Sequence, residues 1–191
     1  IAQCLVGSEM CIRDRCKDFF ATRTMTVSEF DAQMHKMIMR YPEQVSLVQM
    51  NFLDTHDVPR FLSYCVGDRR RLRLAYFYLF MGYGVPSVFY GDEYYIEGET
   101  ENAYRSPMPW GSEDNCYDIL REYAQIRREH SAIRNGTYRT VLCQDEKGLY
   151  LFLRENEQEK ILIALNNSDE EQEISDKAWR IPPMQGDIRI L

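Results

Sequence analysis

The 191-residue sequence predicts an α/β fold in which parallel strands alternate with helices, followed by a small antiparallel β-module. Two observations predict the alternation: apolar residues recur at helical spacing in three segments, and short apolar runs separate those segments. A third is the change to a hydrophobic period of two after Gly136, which is typical of strands. Because 45% of the residues are hydrophobic and 13% are aromatic, the composition favours a buried core over disorder.

Three helices are predicted from capping residues and apolar stripes. The first begins near Ser28, with Asp31 in a capping-box-like position, and Pro42 ends it. Its stripe consists of Phe30, Met34, Met37 and Tyr41. The second helix runs from a capping Asp68 to Met81, and the third spans roughly residues 117–131.

Five strands are predicted between and after these helices. Val45–Leu53 and Val85–Tyr90 are short apolar runs, and we expect both to be buried parallel strands. The remaining strands, with alternating apolar residues, are Tyr138–Leu142, Leu149–Arg154 and Lys160–Leu165. They predict a separate antiparallel domain over residues 136–191, and its last residues still follow a strand pattern, so we expect this domain to be cut short.

The first 15 residues, IAQCLVGSEMCIRDR, show neither helical periodicity nor strand alternation. They lack the basic start and sustained apolar core of a signal peptide, and they resemble a translated sequencing adapter. We therefore expect residues 1–16 to be a non-native segment and the native α/β part to occupy residues 17–135.

Composition argues against several classes of function. The net charge of −7 argues against nucleic acid as a partner, because phosphate backbones are bound by clustered Lys and Arg. No apolar run approaches the roughly 18 residues of a membrane span. None of the six cysteines stands in a CxxC pair, which gives little support for zinc and suggests free thiols in a reducing, cytoplasmic compartment.

The segment Asp54-Thr55-His56-Asp57 directly follows the first predicted parallel strand. Catalytic groups of α/β barrels lie at this end of the strands, and glycoside chemistry needs carboxylates near an oxocarbenium-like centre. A plain loop with a helix-capping Asp fits the same residues equally well. Two later segments, residues 89–93 and 104–110, combine aromatic residues with Arg, which suits sugar recognition but is also common in protein cores.

Five acidic residues crowd one predicted loop: Asp92, Glu93, Glu97, Glu99 and Glu101. Carboxylates are calcium ligands, so this loop is a candidate calcium site, although the residues lack EF-hand spacing. The alternative is a solvated acidic loop. No organic cofactor and no other metal are expected.

Together, these segments identify a family. The run from Asn51 to Phe61, NFLDTHDVPRF, resembles the last signature region of glycoside hydrolase family 13. Val85–Glu93 resembles the eighth barrel strand of that family, and Arg105–Trp110 resembles the loop after it. The nearest subgroup is that of neopullulanases, cyclomaltodextrinases and maltogenic amylases.

The resemblance implies that residues 17–135 form the C-terminal part of a catalytic (β/α)8 TIM barrel, and residues 136–191 an antiparallel β-sandwich. It implies retaining hydrolysis of α-1,4 or α-1,6-glucosidic bonds in maltodextrins, cyclodextrins or pullulan. Asp57 matches the aspartate that stabilises the transition state, and His56 matches a substrate-binding histidine. Arg60 and Arg105 are further candidate substrate-binding residues, with a salt bridge as the alternative role of Arg60.

The nucleophilic Asp and the acid/base Glu of the family belong to segments that would precede residue 17. We therefore expect the isolated chain to be inactive and, with open strand edges, prone to aggregation. We expect the parent protein to act on α-glucan oligosaccharides, with a homodimer as one expected assembly. Two alternatives stay open: a family transglycosidase or isomerase such as a trehalose synthase, and a non-catalytic carbohydrate-binding homologue.

Overall fold

The computed structural model describes residues 10–174 and 179–191, with the backbone alone at Met10 and Cys11. The α-helices are α1 Met10–Cys16, α2 Val27–Ile38, α3 Glu43–Val48, α4 Phe61–Tyr64, α5 Arg69–Met81, α6 Glu101–Tyr104, α7 Tyr117–Glu129 and α8 Ser131–Asn135. The strands are β1 Met50–Phe52, β2 Val85–Ser87, β3 Thr137–Gln144, β4 Leu149–Glu155, β5 Lys160–Asn166, β6 Gln172–Ile174, β7 Trp179–Ile181 and β8 Gln185–Ile190.

Helix α2 begins at a different cap from the predicted one. Thr26 is the N-cap: its hydroxyl accepts a hydrogen bond from the Glu29 backbone N–H, and the Glu29 carboxylate accepts one from the Thr26 backbone N–H. This reciprocal capping box satisfies two of the backbone donors that a helix N-terminus leaves unpaired. Asp31, predicted to be the capping partner, instead accepts a hydrogen bond from the Tyr150 hydroxyl of β4.

The predicted strand over Val45–Leu53 is wrong in its first half. Residues 43–48 form α3, and only Met50–Phe52 form β1. Val45 and Val48 are exposed, whereas Ser46 is buried and donates a hydrogen bond to the Ile38 carbonyl oxygen. A short apolar run does not separate a strand from a helix by periodicity alone, and Pro42 supplies a helix start here.

The two strands β1 and β2 are parallel, as predicted, and pair with Met50 opposite Val85. The chain between them contains α4 and α5. Asp68 caps α5 as predicted by accepting a hydrogen bond from the Arg70 backbone N–H. Every residue of α5 from Leu74 to Met81 is buried, because this helix packs against α7, β2 and β8.

The C-terminal strands form a four-stranded antiparallel sheet in the order β3-β4-β5-β8, and the antiparallel pair β6-β7 packs on one face of it. Trp179 and Ile181 of β7 cover the leucines of that face. Side chains of the other face, such as Tyr150 and Phe152, join the main core together with Phe30 and residues of α5. A single core therefore contains residues from both sides of Gly136.

Residues 10–16 form a helix, where the sequence predicted no regular element. Cys16 is fully buried in the main core, and the Arg13 guanidinium donates a hydrogen bond to the Pro59 carbonyl oxygen. Residues 1–9, the larger part of the segment that resembles an adapter, lie outside the described residues. Among the described residues, no helix has both the length and the apolar character needed to cross a membrane.

Candidate active site

The loop between β1 and α4 holds two aspartates with opposite surroundings. Asp54 is buried, and both of its carboxylate oxygens accept a hydrogen bond from the Phe61 backbone N–H, at 2.7 and 2.9 Å. A carboxylate at this position pairs with a backbone donor at the N-terminus of α4, and its negative charge is attracted by the positive end of the helix dipole. Asp54 is therefore a structural residue of the loop.

Asp57 lies on the open side of the same loop. Its side chain is 64% exposed and that of His56 is 67% exposed. The two side chains contact each other, with His56 Nε2 3.1 Å from Asp57 Oδ2. The Asp57 backbone N–H also donates to the Thr55 hydroxyl, at 3.3 Å, which fixes the turn that presents both side chains to solvent.

Arg105, from the loop after β2, joins this pair. Its Nη2 donates to Asp57 Oδ1 at 3.2 Å, and its Nε donates to the His56 carbonyl oxygen at 2.8 Å. On the other side, Nη1 contacts Glu101 Oε1 at 2.8 Å. The structure thus brings together three predicted site residues from two loops. Glu101 is a contact that the sequence analysis missed; its signal is the spacing of four residues from Arg105 across α6.

Arg60 does not line this open site. Its side chain is 0% exposed, and its Nη1 lies 3.1 Å from Oδ1 of Asp92, which is 1% exposed. The predicted direct contact of Arg60 with a sugar is therefore corrected, because a fully enclosed guanidinium presents no surface to a ligand. The alternative role, a salt bridge, is the one that the structure shows.

The buried partner of Arg60 belongs to a pair of carboxyl groups. Asp92 and Asp54 lie within hydrogen-bonding reach of each other, and the Tyr76 hydroxyl donates to Asp92 Oδ2. Burial raises the pKa of Asp92 well above its ordinary range, and the adjacent Asp54 carboxyl raises it further. Burial also raises the pKa of Asp54. Because two neighbouring carboxylates facing one Arg repel each other, this pair favours retaining a proton.

The acidic loop does not assemble a cation site. Asp92 is engaged with Arg60, and Glu101 with Arg105. In residues 10–174 and 179–191, no group of three or more His, Cys, Asp and Glu side chains is placed to hold a metal ion. The cysteines whose side chains are described, Cys16, Cys65, Cys116 and Cys143, are free thiols.

The open site thus offers the exposed Asp57 carboxylate, in contact with the His56 imidazole through one oxygen and with the Arg105 guanidinium through the other. These groups can accept and donate hydrogen bonds to a polyhydroxylated ligand, and the carboxylate can stabilise positive charge that develops beside it. The loop beyond Arg105 carries Trp110, whose side chain is largely exposed.

Comparisons with known proteins identify the family of this chain. The family described as "Alpha amylase, catalytic domain" matches residues 13–142, which is more than half of the chain. A cyclomaltodextrinase from Bacillus sp. is 32% identical over 153 residues, covering 78% of this chain and 27% of the relative. Neopullulanase 2 from Thermoactinomyces vulgaris is 31% identical over 159 residues, covering 82% of this chain and 27% of the relative.

Solved structures of α-glucan hydrolases also resemble this chain. A cyclomaltodextrinase structure superposes with a TM-score of 0.80 at 29% identity, covering 86% of this chain and 29% of that one. A cyclic α-maltosyl-(1→6)-maltose hydrolase from Arthrobacter globiformis, in complex with cyclic α-maltosyl-(1→6)-maltose, superposes with a TM-score of 0.87, covering 96% of this chain and 44% of that one. At 23% identity, this likeness supports the fold alone. The chain spans about 27% of the length of the first two curated relatives. On the family match and these identities, the chain belongs to the α-amylase family of glycoside hydrolases.

Proposed function

We propose that this chain is part of a retaining α-glucan hydrolase and carries the residue that stabilises its transition state. The substrates would be maltodextrins, cyclodextrins or pullulan, cleaved at α-1,4 or α-1,6-glucosidic bonds. The observation that carries the proposal is the contact among Asp57, His56 and Arg105 on the open side of the loops after β1 and β2. The relatives named cyclomaltodextrinase and neopullulanase support the substrate class.

In this mechanism, Asp57 supplies negative charge next to the sugar ring. The transition state of glycoside cleavage resembles an oxocarbenium ion, so a fixed carboxylate stabilises it more than the neutral ground state. Arg105 orients that carboxylate through its Nη2 donor and binds the turn through the His56 carbonyl oxygen. The His56 imidazole is placed to hydrogen-bond sugar hydroxyls.

The parent fold would be a (β/α)8 barrel with an antiparallel β-sandwich at its C-terminus, divided near Gly136. The parallel pairing of β1 with β2 supports the barrel, and the packing of β6-β7 on the four-stranded sheet supports the sandwich. The nucleophilic Asp and the acid/base Glu would come from outside this chain, about 5–5.5 Å apart as retention requires.

The isolated 191-residue chain would then be inactive and prone to aggregation. Without the nucleophile and the acid, Asp57 has no developing charge to stabilise. The short parallel sheet also exposes apolar side chains, with Met50 at 42% and Val85 at 43%. Such apolar surface beside the outer edges of a two-stranded sheet is an aggregation site. A soluble monomer of these residues that melts cooperatively would contradict this part of the proposal.

The test uses the full-length enzyme and measures hydrolysis of cyclodextrin, maltodextrin and pullulan. We expect Asp57→Asn to lower kcat/KM by roughly 10²–10³-fold, the range found when a group that stabilises transition-state charge is removed. The matched control is Asp169→Asn, which also disrupts an exposed Asp–Arg pair, with Arg23 at 2.8 Å. If both variants retain wild-type kcat/KM, the catalytic role of Asp57 is wrong.

The same assay separates the alternatives through its products. A cyclomaltodextrin glucanotransferase from a Bacillus species is 28% identical over 172 residues, covering 90% of this chain, which supports transglycosylation as a second candidate. New oligosaccharides longer than the substrate would indicate transfer, whereas only products shorter than the substrate would indicate hydrolysis. Tight binding without products would indicate a non-catalytic homologue.

Location and assembly are further proposals. An intracellular maltogenic amylase of Bacillus subtilis is 26% identical over 162 residues, covering 83% of this chain, and supports a cytoplasmic parent. A homodimeric parent stays an expectation, which light scattering of the full-length enzyme would test.

A further inference from the structure

We propose that buried Arg60 is a positioning residue that holds the loop carrying Asp57 against the loop carrying Arg105. This inference rests on the proposed function, because it assigns Arg60 a part in the chemistry at Asp57. Arg60 acts without touching substrate, since its side chain is fully enclosed.

The guanidinium of Arg60 binds the loop after β2 at several points. Its Nη1 donates to the Tyr90 carbonyl oxygen at 2.7 Å and to Asp92 Oδ1 at 3.1 Å. Its Nε donates to the Tyr104 carbonyl oxygen at 3.0 Å. The Arg60 backbone N–H adds a bond to the Gly98 carbonyl oxygen at 2.9 Å. One residue of the first loop therefore fixes four positions of the second.

These bonds extend directly to the open site. The Tyr104 carbonyl belongs to the peptide group that leads into Arg105, and Arg105 binds Asp57 and the His56 carbonyl. Asp57 lies three residues before Arg60, so the contacts close a ring between the two loops. A shift of the Tyr104 carbonyl would move Arg105, and with it the carboxylate that Arg105 orients.

An arginine suits this position better than a lysine. The guanidinium is planar, and its Cζ lies 4.6 Å from the Phe89 ring centroid and 4.8 Å from the Tyr90 ring centroid. Its rigid fork donates in several fixed directions, whereas a lysine ammonium is a compact point charge. The Asp54–Asp92 pair, which retains one proton between its two carboxyl groups, supplies the negative charge that balances the guanidinium in the interior. Lysine would keep the charge and lose the bridge to the Tyr104 carbonyl.

Arg154 provides a matched control, because it is also fully buried and also binds main-chain carbonyls. Its donors reach the carbonyl oxygens of Met81 and Gly82 at the end of α5, and of Gly136 and Thr137 at the start of β3. Within the part of the chain that the structure describes, none of its hydrogen bonds reaches the loops that carry Asp57 or Arg105. Arg154→Lys therefore tests the cost of altering a buried arginine without altering the open site.

The experiment compares Arg60→Lys, Arg105→Ala, their double variant and Arg154→Lys in the full-length enzyme. Hydrogen–deuterium exchange of residues 98–106 reports the loop, the urea midpoint reports stability, and kcat and KM are measured on cyclodextrin. We expect Arg60→Lys to raise exchange in residues 98–106 and to lower kcat by about 10²-fold, as a misplacement of about 1 Å does. The double variant should lose no more kcat than Arg105→Ala alone, because both act through Arg105.

Arg154→Lys should lower the urea midpoint while leaving kcat and the exchange of residues 98–106 unchanged. Unchanged hydrogen–deuterium exchange of residues 98–106 in Arg60→Lys would overturn the positioning role, and this result does not depend on which reaction the enzyme catalyses. Raised exchange with wild-type kcat, or independent losses that multiply in the double variant, would overturn its part in catalysis. Failure of the proposed function is distinguishable, since wild-type kcat/KM in Asp57→Asn would remove the catalytic role of Asp57 and leave the exchange result standing.

Discussion

The loop between β1 and α4 has an exposed side and a buried side that use similar residues for different purposes. On the exposed side, Asp57 pairs with His56 and Arg105. On the buried side, Asp54 and Asp92 face Arg60 with no exposed surface for a ligand. The difference teaches that neither an aspartate nor an arginine after a parallel strand defines a site by itself, since solvent access decides which of them can meet a substrate.

The two sides also differ in how much each ion pair contributes to the free energy of unfolding. The exposed pair is screened by water, so breaking it changes stability little. The buried pair is not screened, and removing one partner leaves a charge in the interior. Variants of the buried side should therefore lower stability, and those of Arg60 should also lower activity through Arg105. Variants of the exposed side should lower activity with little change in stability.

The largest stability effect is expected from Arg60→Met. It removes the cation from the two buried carboxyl groups and leaves the Tyr90 and Tyr104 carbonyls without their donor. Breaking a buried ion pair in this way costs about 3–5 kcal/mol. Urea denaturation of the full-length enzyme would measure it, and a loss as small as that of a surface pair would contradict the buried-side assignment.

A smaller loss is expected from Asp54→Ala. The substitution leaves the Phe61 backbone N–H without its acceptor in a buried position. An unsatisfied buried donor costs about 1–3 kcal/mol. The urea midpoint should fall accordingly, and Asp54→Asn, which keeps one acceptor oxygen, should recover most of the loss. Equal losses in the two variants would show that the capping bond is not the cause.

Asp92→Asn should change how stability depends on pH. The raised pKa of Asp92 means that the folded protein holds a proton that the unfolded chain releases. The stability that protonated Asp92 contributes is fully present below the pKa of an unfolded aspartate, about 3.9. It is lost as the pH rises through the pKa of Asp92 in the folded protein. Arg60, Tyr76 and Asp54 face the group.

An asparagine does not titrate, so the Asp92→Asn variant should lose less stability than the wild type between pH 5 and pH 8. Near neutral pH its own cost should be about 1 kcal/mol, that of one hydrogen bond. Urea midpoints at the two pH values give the comparison, and parallel slopes for variant and wild type would contradict the raised pKa.

The smallest effect is expected from Asp169→Asn. Asp169 pairs with Arg23 on the surface at 2.8 Å, and its side chain is 58% exposed. Exposed ion pairs contribute about 0.2–1 kcal/mol. A loss of unfolding free energy in this range, smaller still in 0.5 M salt, would give the value for an exposed ion pair with which the buried pair is compared. A loss as large as that of Arg60→Met would show that exposed and buried pairs do not differ.

The sequence predicted the elements with strong local signals. The Asp68 cap and the helix to Met81 were confirmed, as were the parallel pairing and the strands over residues 137–166. The helix at 43–48 was missed, because a short apolar run favours a strand and a helix alike. The cap of α2 was predicted at Ser28, and the structure has it at Thr26.

For the site, the resemblance placed Asp57, His56 and Arg105 on neighbouring loops, and the structure shows them in contact. Their catalytic roles stay predictions. The burial of Arg60 was not decided by sequence, because its partner Asp92 lies 32 residues away and its enclosure depends on the packing of Phe89 and Tyr90. Such tertiary enclosure leaves no periodic signal along the chain.

The most direct test compares Asp57→Asn with Asp54→Ala in the full-length enzyme, measuring kcat/KM per folded molecule beside the urea midpoint. The account predicts that Asp57→Asn loses activity by roughly 10²–10³-fold with a nearly unchanged midpoint. Asp54→Ala should lower the midpoint while its folded molecules keep most of their kcat/KM. Equal losses of activity in the two variants, or wild-type activity in Asp57→Asn, would contradict the division of this loop into an exposed catalytic side and a buried structural side.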